Sequence, residues 1–372
     1  MNVLLLAPRF PWPPYQGDRL RSTIWLAALA RHANVALVSP PGEVPADAPP
    51  FRFHPAAHSA AAAARAALRV SRGASLQSLI AAPYDWTSAI ESASRDLGSV
   101  DATIVILTRL DPWVRVALPQ SFLILDAVDS LGRSMSERTS EAAPLHRWFW
   151  RGETKRVERE ESDAIGAYDR VIVVSDEDAD HLGAMVVSNG VEIAPLGVAP
   201  RSYDFAFWGR LPYFANTDAA MWLLDEIWPR IRARRPDATL LIAGADAPSK
   251  VRGMNGSHGI TVVSPVANIA TLARDIRVAI FPVRYGTGQS NKVLEAAEGG
   301  CGIVATTKAI RGLDPLVPFI DVANDADALA EAAVAALEKS PSALRHAVEL
   351  HYSREKTLER LAAIVQAAEA AA

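Results

Sequence analysis

Short apolar runs alternate with longer amphipathic segments along most of the chain. The apolar runs are rich in valine, isoleucine and leucine, and in the first half of the chain they occupy Val3–Ala7, Val35–Ser39, Ala102–Leu107, Phe122–Asp126 and Val171–Ser175. The helical segments between them lie at Arg19–Arg31, residues 59–70, Thr87–Leu97 and Trp148–Ala167. Apolar strands that alternate with helices predict a parallel sheet with helices on both faces.

The same alternation begins again after a segment that lacks any periodicity. This segment holds the turn-forming residues Asn189-Gly190, Ala194-Pro195, Gly197 and Ala199-Pro200, and it is predicted to be a linker. The second series has predicted strands at Phe205–Trp208, Thr239–Ala243, Thr261–Val263, Val278–Pro282 and Gly302–Thr306. Its predicted helices lie near Thr217–Arg234, Ile269–Asp275, Ser290–Glu298, Asp325–Glu338 and Ser353–Ala371. We therefore expect two α/β domains, residues 1–190 and 200–350, and a C-terminal helix at 351–372 that packs back on the first domain.

Composition narrows the class of protein. The chain has 372 residues, a length that suits two such domains, and its 50% hydrophobic content is that of a globular protein. The net charge of −4 gives no general attraction to polyanions, which argues against nucleic acid as the main partner. Cys301, the single cysteine, excludes an intrachain disulfide and a multi-cysteine metal site.

Targeting and metal-binding patterns are not found in the sequence. Met1-Asn2 leads directly into the first apolar run, without the basic leader and cleavage site of a signal peptide. No apolar run approaches the roughly 20 residues that cross a bilayer, and Ala60–Leu68 is interrupted by Arg65. The eight histidines have no metal-ligand spacing. We expect a cytoplasmic protein that is soluble or at most peripherally membrane-bound, with no bound metal.

The segment Val278–Thr306 contains the strongest chemical pattern. Its predicted strand ends at Pro282, and a loop with Gly286 and Gly288 precedes a helix that starts near Gln289. Glycine allows a tight turn and close approach of a ligand to the backbone, and the start of a helix attracts anions. Two cations, Arg284 and Lys292, flank this turn. The pattern predicts a diphosphate-binding site.

Glu295 follows Lys292 by three residues, so the two side chains share a helix face. A carboxylate at this position can accept hydrogen bonds from the two hydroxyls of a ribose, which would make the ligand a nucleoside diphosphate. The alternative is that Lys292 and Glu295 form an ion pair on the helix surface, which would stabilise the helix by a few tenths of a kcal/mol. A dinucleotide fingerprint is disfavoured because Asn291 replaces its third glycine and the motif lies late in the chain.

Three segments resemble one family. PVRYGTGQSNKVLEAAEGGCGIVAT, at residues 282–306, resembles the donor-binding stretch of the group 1 family of retaining glycosyltransferases, which have two Rossmann-like domains (the GT-B architecture). It is most similar to the branch found in bacterial polysaccharide loci, which carries a GtG…KvLEA pattern. Residues 3–40 resemble the first strand, loop and helix of the family, and residues 205–244 resemble the start of its second domain.

This resemblance implies a fold, a reaction and a set of site residues. The fold would be two parallel-sheet domains that face a cleft, and the reaction would transfer a sugar from a nucleotide-diphosphate donor to a hydroxyl acceptor (a glycan, a lipid-linked sugar or a small molecule) without a cofactor. Glu295 matches the glutamate that binds the donor ribose. The residues that match the phosphate and sugar contacts are Gly17, Arg210, Gly286, Thr287, Gly288 and Lys292. Arg210 and Lys292 would stabilise the leaving diphosphate, together with Arg284.

The chain also departs from the broader family at two places. The family has a glutamate eight residues before its ribose-binding glutamate, where this chain has Thr287. It also tends to have a lysine shortly after the Gly-Arg pair, where this chain has Ala215 and Asn216. Two other functions stay open for such a sequence, a nucleotide-sugar epimerase and a non-catalytic nucleotide-binding protein.

Three residues of the first domain are candidates for the acceptor side. Asp18 ends an unusually long loop that begins at Arg9, and long loops tend to be functional. Asp129 closes the segment Asp126-Ala127-Val128-Asp129 after a predicted strand, and Arg109 follows the strand before it. A carboxylate at a strand end can orient an acceptor hydroxyl, whereas the alternative for either aspartate is a helix cap.

Residues 146–151, with the sequence His-Arg-Trp-Phe-Trp-Arg, place bulky aromatic residues between cations. Such a segment can rest on a membrane interface or hold a lipid-linked acceptor. The alternative is a packed helix with solvated arginines.

Overall fold

The computed structural model describes residues 1–118, 120–141, 144–197, 200–266, 269–286 and 289–369. The chain forms two compact units. The first unit comprises Met1–Asn189 and the segment from Thr357 onward, and the second comprises Gly190–Lys356. Thr287 and Gly288, two of the predicted donor-site residues, lie outside the described residues.

The first unit is built on a seven-stranded sheet in which all strands are parallel. Its strands are β1 (Asn2–Leu6), β2 (Asn34–Ser39), β3 (Arg52–Pro55), β4 (Ala102–Ile106), β5 (Phe122–Val128), β6 (Arg170–Val173) and β7 (Met185–Val186). The order across the sheet is β3-β2-β1-β4-β5-β6-β7. The strand order therefore reverses at β1 and β4, and such a switch point is where open parallel sheets bind ligands.

Helices cover both faces of this sheet. They are α1 (Gly17–Leu29), α2 (Ala60–Ser71), α3 (Ser78–Ala81), α4 (Trp86–Leu97), α5 (Asp111–Ala117), α6 (Leu131–Glu141), α7 (Pro144–Ile165) and α8 (Asp176–Leu182). Successive residues of β1 point to opposite faces: Leu5 packs in one core cluster with Trp25 of α1, and Leu4 packs in another with Trp86 of α4. Burial on both faces explains why the predicted strands are continuous apolar runs rather than alternating ones.

A buried ion pair fixes α1 against β5. The Arg21 guanidinium donates to the Asp126 carboxylate over 2.6 Å, and the Trp25 indole nitrogen donates to the same oxygen over 2.6 Å. All three residues are fully buried. Arg21 also donates to the Ser188 carbonyl oxygen over 3.2 Å, next to the boundary of the unit. Asp126 is therefore a structural residue, although it lies at the strand end where the sequence places candidate carboxylates.

The second unit repeats the architecture with six parallel strands. Its strands are β8 (Tyr203–Trp208), β9 (Leu240–Ala243), β10 (Ile260–Val263), β11 (Ile276–Phe281), β12 (Gly302–Ala305) and β13 (Asp321–Val322), in the order β10-β9-β8-β11-β12-β13. The order reverses between β8 and β11, so the segments that follow these two strands meet at one edge of the sheet. Both units thus have the doubly wound, Rossmann-like arrangement.

The helices of the second unit are α9 (Phe214–Trp222), α10 (Trp228–Arg234), α11 (Ser249–Arg252), α12 (Ile269–Ala273), α13 (Asn291–Glu298), α14 (Ala326–Ala336) and α15 (Ser342–Tyr352). A π-helical turn at Leu223–Ile227 joins α9 to α10, so the helix predicted at Thr217–Arg234 is one rod with a local irregularity. The last helix, α16 (Arg354–Glu369), contributes Leu361 and Val365 to the core of the first unit. Among the helices that the structure describes, none combines the length and apolarity that a membrane span requires.

Candidate nucleotide-sugar site

The site of the second unit begins with Glu295 on α13. Its carboxylate accepts a hydrogen bond of 3.0 Å from the indole nitrogen of Trp208, the last residue of β8. Burial raises the pKa of Glu295, while the Trp208 hydrogen bond and the charges of Lys292 and Arg354 oppose that rise. Glu295 is therefore held in place at the sheet edge where β8 and β11 end, and it is half-buried rather than a solvated surface residue.

Lys292 lies one turn before Glu295 and is also half-buried. Its ammonium nitrogen donates to the side-chain oxygen of Asn216 over 2.5 Å and lies 5.3 Å from the centre of the Phe207 ring. Burial lowers the pKa of Lys292 to about 8, against the opposing effect of the Glu295 charge. The two side chains thus have separate partners, Asn216 and Trp208, and the simple surface pair is not what the structure shows.

The loop between β11 and α13 turns at Gly286, whose φ of 115° lies in the region that favours glycine. Arg311 donates to the Gly286 carbonyl oxygen over 3.4 Å. On the helix side of the loop, the Gln289 amide donates to the Gly312 carbonyl oxygen over 3.2 Å. Ser290 occupies the N-cap position of α13, but its hydroxyl makes no capping hydrogen bond. The first turn of α13 therefore has no side-chain cap from Ser290, although the Val293 amide donates to the Ser290 carbonyl oxygen over 3.1 Å.

Close backbone packing shapes the segment after β8. A Cβ atom at Gly244, which follows β9, would lie 1.9 Å from the Gly209 carbonyl oxygen. A Cβ atom at Gly209 would lie 2.9 Å from the Asn216 amide nitrogen. That amide donates to the Arg210 carbonyl oxygen over 3.0 Å. Asn216 therefore joins the backbone at Arg210 to the ammonium group of Lys292, while the Arg210 side chain is exposed.

Arg284 has a different setting from the other predicted cations. Its guanidinium makes two hydrogen bonds to the Asp218 carboxylate, of 2.9 and 2.6 Å, and lies 4.8 Å from the centre of the Trp222 ring. The hydrogen bond with Asp218 raises the pKa of Arg284. Its charge is already balanced by α9, so Arg284 offers a phosphate less net charge than Lys292 does.

The first unit brings its three predicted acceptor-side residues together. Burial lowers the pKa of Arg109, and the charge of Arg9 lowers it further, whereas Asp18 and Asp129 act in the opposite direction. These residues follow β1, β4 and β5, at the carboxyl edge of the sheet. The result is a group of alternating charges at the switch point of the first sheet.

Asp18 does not cap α1 as the capping alternative supposes. It is the second residue of that helix, and its two carboxylate oxygens each accept a bond of 2.7 Å from Arg9. Gly17 is the first residue of α1, is exposed, and has no atom within 4 Å of the position of a Cβ. At the start of α6, backbone amides donate to the side chains of Ser130 and Glu161, which cap that helix.

The backbone is strained where β4 and β5 end. Leu107 has a φ of 63° and Val128 a φ of 62°, a conformation that side chains with a Cβ rarely adopt. Each of these residues lies within two positions of a predicted site residue, Arg109 or Asp129. Strain of about 1–3 kcal/mol per residue tends to occur at functional sites. A polar cavity of about 200 Å³ adjoins this edge and is lined in part by Arg109, Gln77 and Arg115.

Residues 202–339 match the family described as glycosyl transferases group 1. The match covers most of the second unit and includes the residues around Glu295. No curated protein matches the chain.

Solved structures of three proteins share the fold over the whole chain. Sucrose-phosphate synthase from Thermosynechococcus elongatus has a TM-score of 0.74 at 14% identity, with 100% of both chains covered. HepE from Anabaena, in complex with UDP, has a TM-score of 0.64 at 14% identity, with 99% and 100% covered. The UDP-forming trehalose-phosphate synthase from Burkholderia xenovorans has a TM-score of 0.61 at 12% identity, with 99% and 98% covered. The predicted fold class is confirmed: two parallel-sheet α/β units of the GT-B type.

The second unit also contains site residues that the sequence alone did not indicate. Trp208 holds Glu295, and Phe207 lies beside Lys292, but both precede the Gly-Arg pair in an ordinary apolar strand. Asn216 stands out in the sequence only as a departure from the lysine that is common in the family. The structure shows what the asparagine does, because its amide orients the lysine that this chain does have.

Proposed function

We propose that this protein is a glycosyltransferase that moves a sugar from a nucleotide-diphosphate donor to a hydroxyl acceptor. The observation that carries the proposal is Glu295, held by Trp208 one turn beyond Lys292 at the start of α13. A carboxylate so placed is free to accept ribose hydroxyls with its remaining oxygen lone pairs, while the preceding turn faces the phosphates. The group 1 match of residues 202–339 supports this assignment.

The reaction breaks the bond between the anomeric carbon and the donor phosphate oxygen, and negative charge collects on the diphosphate. Lys292, Arg210 and the first amides of α13 would stabilise that charge, which is commonly the largest single contribution to catalysis. Asn216 suits this role because a neutral amide orients Lys292 without cancelling its charge. Arg284 would contribute less, since Asp218 balances it, and Gly286 and Gly17 would let the backbone approach the phosphates.

The resemblance to group 1 glycosyltransferases implies the stereochemical course of the reaction and its independence of a metal. We infer retention of configuration, with a donor phosphate oxygen that takes the proton of the attacking hydroxyl while the sugar–phosphate bond breaks. The cations named above supply positive charge at the diphosphate, so we expect activity to persist in EDTA. Asp18, Arg109 and Asp129 would position the acceptor, and we expect the enzyme to act in the cytoplasm.

The proposal is tested first by a thermal-shift screen of nucleotide sugars, beginning with UDP-sugars because HepE is complexed with UDP. A true donor at about 100 times its dissociation constant should stabilise the folded protein by about 2.7 kcal/mol. The donor that stabilises is then incubated with hydroxyl acceptors, and transfer is followed by mass spectrometry, with the anomeric configuration read by NMR. Isomerisation of donor alone would indicate an epimerase, and binding without turnover on any acceptor would indicate a non-catalytic protein.

The pH dependence of kcat/KM should reflect the ionisation of the Lys292 ammonium group. The pKa of Lys292 is lowered to about 8, so the free enzyme loses this positive charge as the pH rises through that value. We expect kcat/KM to fall by about tenfold per pH unit above this pKa, since kcat/KM reports groups of the free enzyme. The bound diphosphate favours the charged amine, so the basic limb of kcat should lie at higher pH. In Lys292→Arg the basic limb should disappear from the range below pH 10 or so, because arginine stays charged; an unchanged limb would contradict the assignment.

A further inference from the structure

An exposed group of aromatic rings lies beside the candidate site of the second unit. Tyr213 is 44% exposed and Phe214 is 50% exposed. Their ring centroids are 5.1 Å apart, and the Tyr285 ring lies 6.0 Å from that of Phe214. We call these three rings the aromatic surface. Large apolar side chains gain free energy when they leave water, so rings that the fold leaves exposed can pack against an apolar part of a ligand.

The aromatic surface is held next to the lysine of the site. The backbone amide of Asn216 donates to the Tyr213 carbonyl oxygen over 2.9 Å, and the Asn216 side chain accepts from Lys292 over 2.5 Å. A Cβ atom at Gly286 would lie 3.7 Å from the Tyr213 hydroxyl oxygen. The rings therefore border the turn that precedes α13.

The position proposed for the nucleotide decides which part of the donor meets these rings. Glu295 lies four residues after Asn291, the first residue of α13, which is about 6 Å along the helix axis. With the ribose at Glu295 and the diphosphate at the first turn of α13, the next group of a nucleotide sugar lies beyond the start of the helix. That group is the transferred sugar. The residues on that side are those of the preceding turn, Tyr285 and Gly286 among them.

The ion pair beside the rings is balanced within itself. Arg284 lies 5.8 Å from the centre of the Tyr285 ring and makes two hydrogen bonds to the Asp218 carboxylate. The Trp222 ring lies 4.8 Å from the same guanidinium. A sugar hydroxyl that faced the rings would exchange water for a poorer hydrogen-bonding partner, whereas an apolar group in that place would gain free energy by leaving water.

We propose, on the basis of the function given above, that the aromatic surface selects a donor whose sugar carries a methyl group. The methyl group is that of a 6-deoxy sugar or that of an acetamido sugar, since both present the same apolar chemistry to a ring. Tyr213, Phe214 and Tyr285 then determine the specificity for the sugar and take no part in binding the nucleotide.

The size of the aromatic surface favours a sugar over a second copy of the chain. A large aromatic side chain has an area of about 200 Å², so Tyr213 and Phe214 together expose about 200 Å². A stable interface between proteins buries about 800 Å² on each partner. A single sugar ring with its methyl group, in contrast, is similar in size to the exposed rings.

Isothermal titration of the full chain tests the proposal. Titration of UDP, GDP and dTDP first identifies the nucleotide that binds most tightly. The glucose, 6-deoxyglucose and N-acetylglucosamine donors of that nucleotide are then compared. We expect at least one of the two methyl-bearing donors to bind about tenfold more tightly than the glucose donor, at the low end of the range for a change of one apolar group in a hydrophobic site. The donor that gains affinity identifies the methyl group as that of a deoxy sugar or of an acetamido sugar.

Phe214→Ala should abolish this preference and leave the affinity for the free nucleoside diphosphate unchanged, because the substitution removes the middle ring of the aromatic surface. Tyr285→Ser is a second variant for the same measurement and should reduce the preference. The matched control is Phe319→Ala, which removes a 46% exposed phenylalanine elsewhere in the same unit and should keep the preference. The melting temperature of each variant shows whether it is folded.

The possible outcomes separate this proposal from the proposed function. Equal affinity for the three donors, or a preference that survives in both Phe214→Ala and Tyr285→Ser, would overturn the role of the aromatic surface and leave the nucleotide site intact. If none of the three nucleoside diphosphates binds, the nucleotide site itself is refuted, and the sugar preference with it. A dimer in sedimentation velocity that Phe214→Ala abolishes would make the aromatic surface an interface between copies, which also overturns its role in specificity.

Discussion

Lys292→Met should lower kcat by about 10²–10³-fold, the loss seen when one group that stabilises developing negative charge is removed from an active site. Methionine keeps an apolar chain beside Phe207 but removes the ammonium group that Asn216 orients. The charge on the diphosphate is larger in the transition state than in the bound donor. The substitution should therefore change kcat by a larger factor than KM. Steady-state kinetics with the donor found by the thermal-shift screen would measure both constants.

Two further variants test whether the loss of kcat comes from the charge at position 292. Lys292→Arg keeps the charge and should recover part of the rate. Lys250→Met removes an exposed lysine of the same unit, whose partner is Asp225 at 2.9 Å, and should leave kcat unchanged. In Lys292→Met the side-chain oxygen of Asn216 loses its hydrogen-bond donor, so the melting temperature of this variant must be checked. A well-folded Lys292→Met enzyme with full kcat would remove Lys292 from the mechanism.

Glu295→Ala should weaken nucleotide binding by about 1.5–3 kcal/mol, or roughly 10- to 150-fold, the range for hydrogen bonds that involve a charged group. The lost contacts are those of the ribose hydroxyls, so the free nucleoside diphosphate should be affected as strongly as the whole donor. Isothermal titration of UDP, or of the diphosphate of whichever donor binds, would give the dissociation constants.

Glu295→Gln separates the ligand contact from the support of the fold. Its side-chain oxygen still accepts from the Trp208 indole, so the local structure should persist while the charge is lost. We expect its nucleotide affinity to lie between those of the unchanged protein and Glu295→Ala. Glu331→Ala on α14, which removes an exposed glutamate, is the control. Equal affinity in all four proteins would refute the assignment of Glu295.

The fold was largely predictable because its determinants are local. The predicted strands correspond to β1, β2, β4, β5 and β6 in the first unit and to β8–β12 in the second, since buried parallel strands need long apolar runs. The edge strands β3, β7 and β13 were missed because they are short and half exposed, so little apolar pattern marks them. Six helices were not predicted either: α3, α5, α6, α8, α11 and α15.

The sequence by itself determined a turn that opens a helix, and a lysine and a glutamate on one side of that helix, because these depend only on glycine placement and on the 3.6-residue period. Tertiary structure decided which of the nearby charges have partners. Arg284 is paired by Asp218 and Lys292 is oriented by Asn216, across separations of 66 and 76 residues along the chain. Asp126 lies in the core, where it pairs with Arg21. Such pairings depend on which strands lie side by side, and no local pattern of residues carries that information.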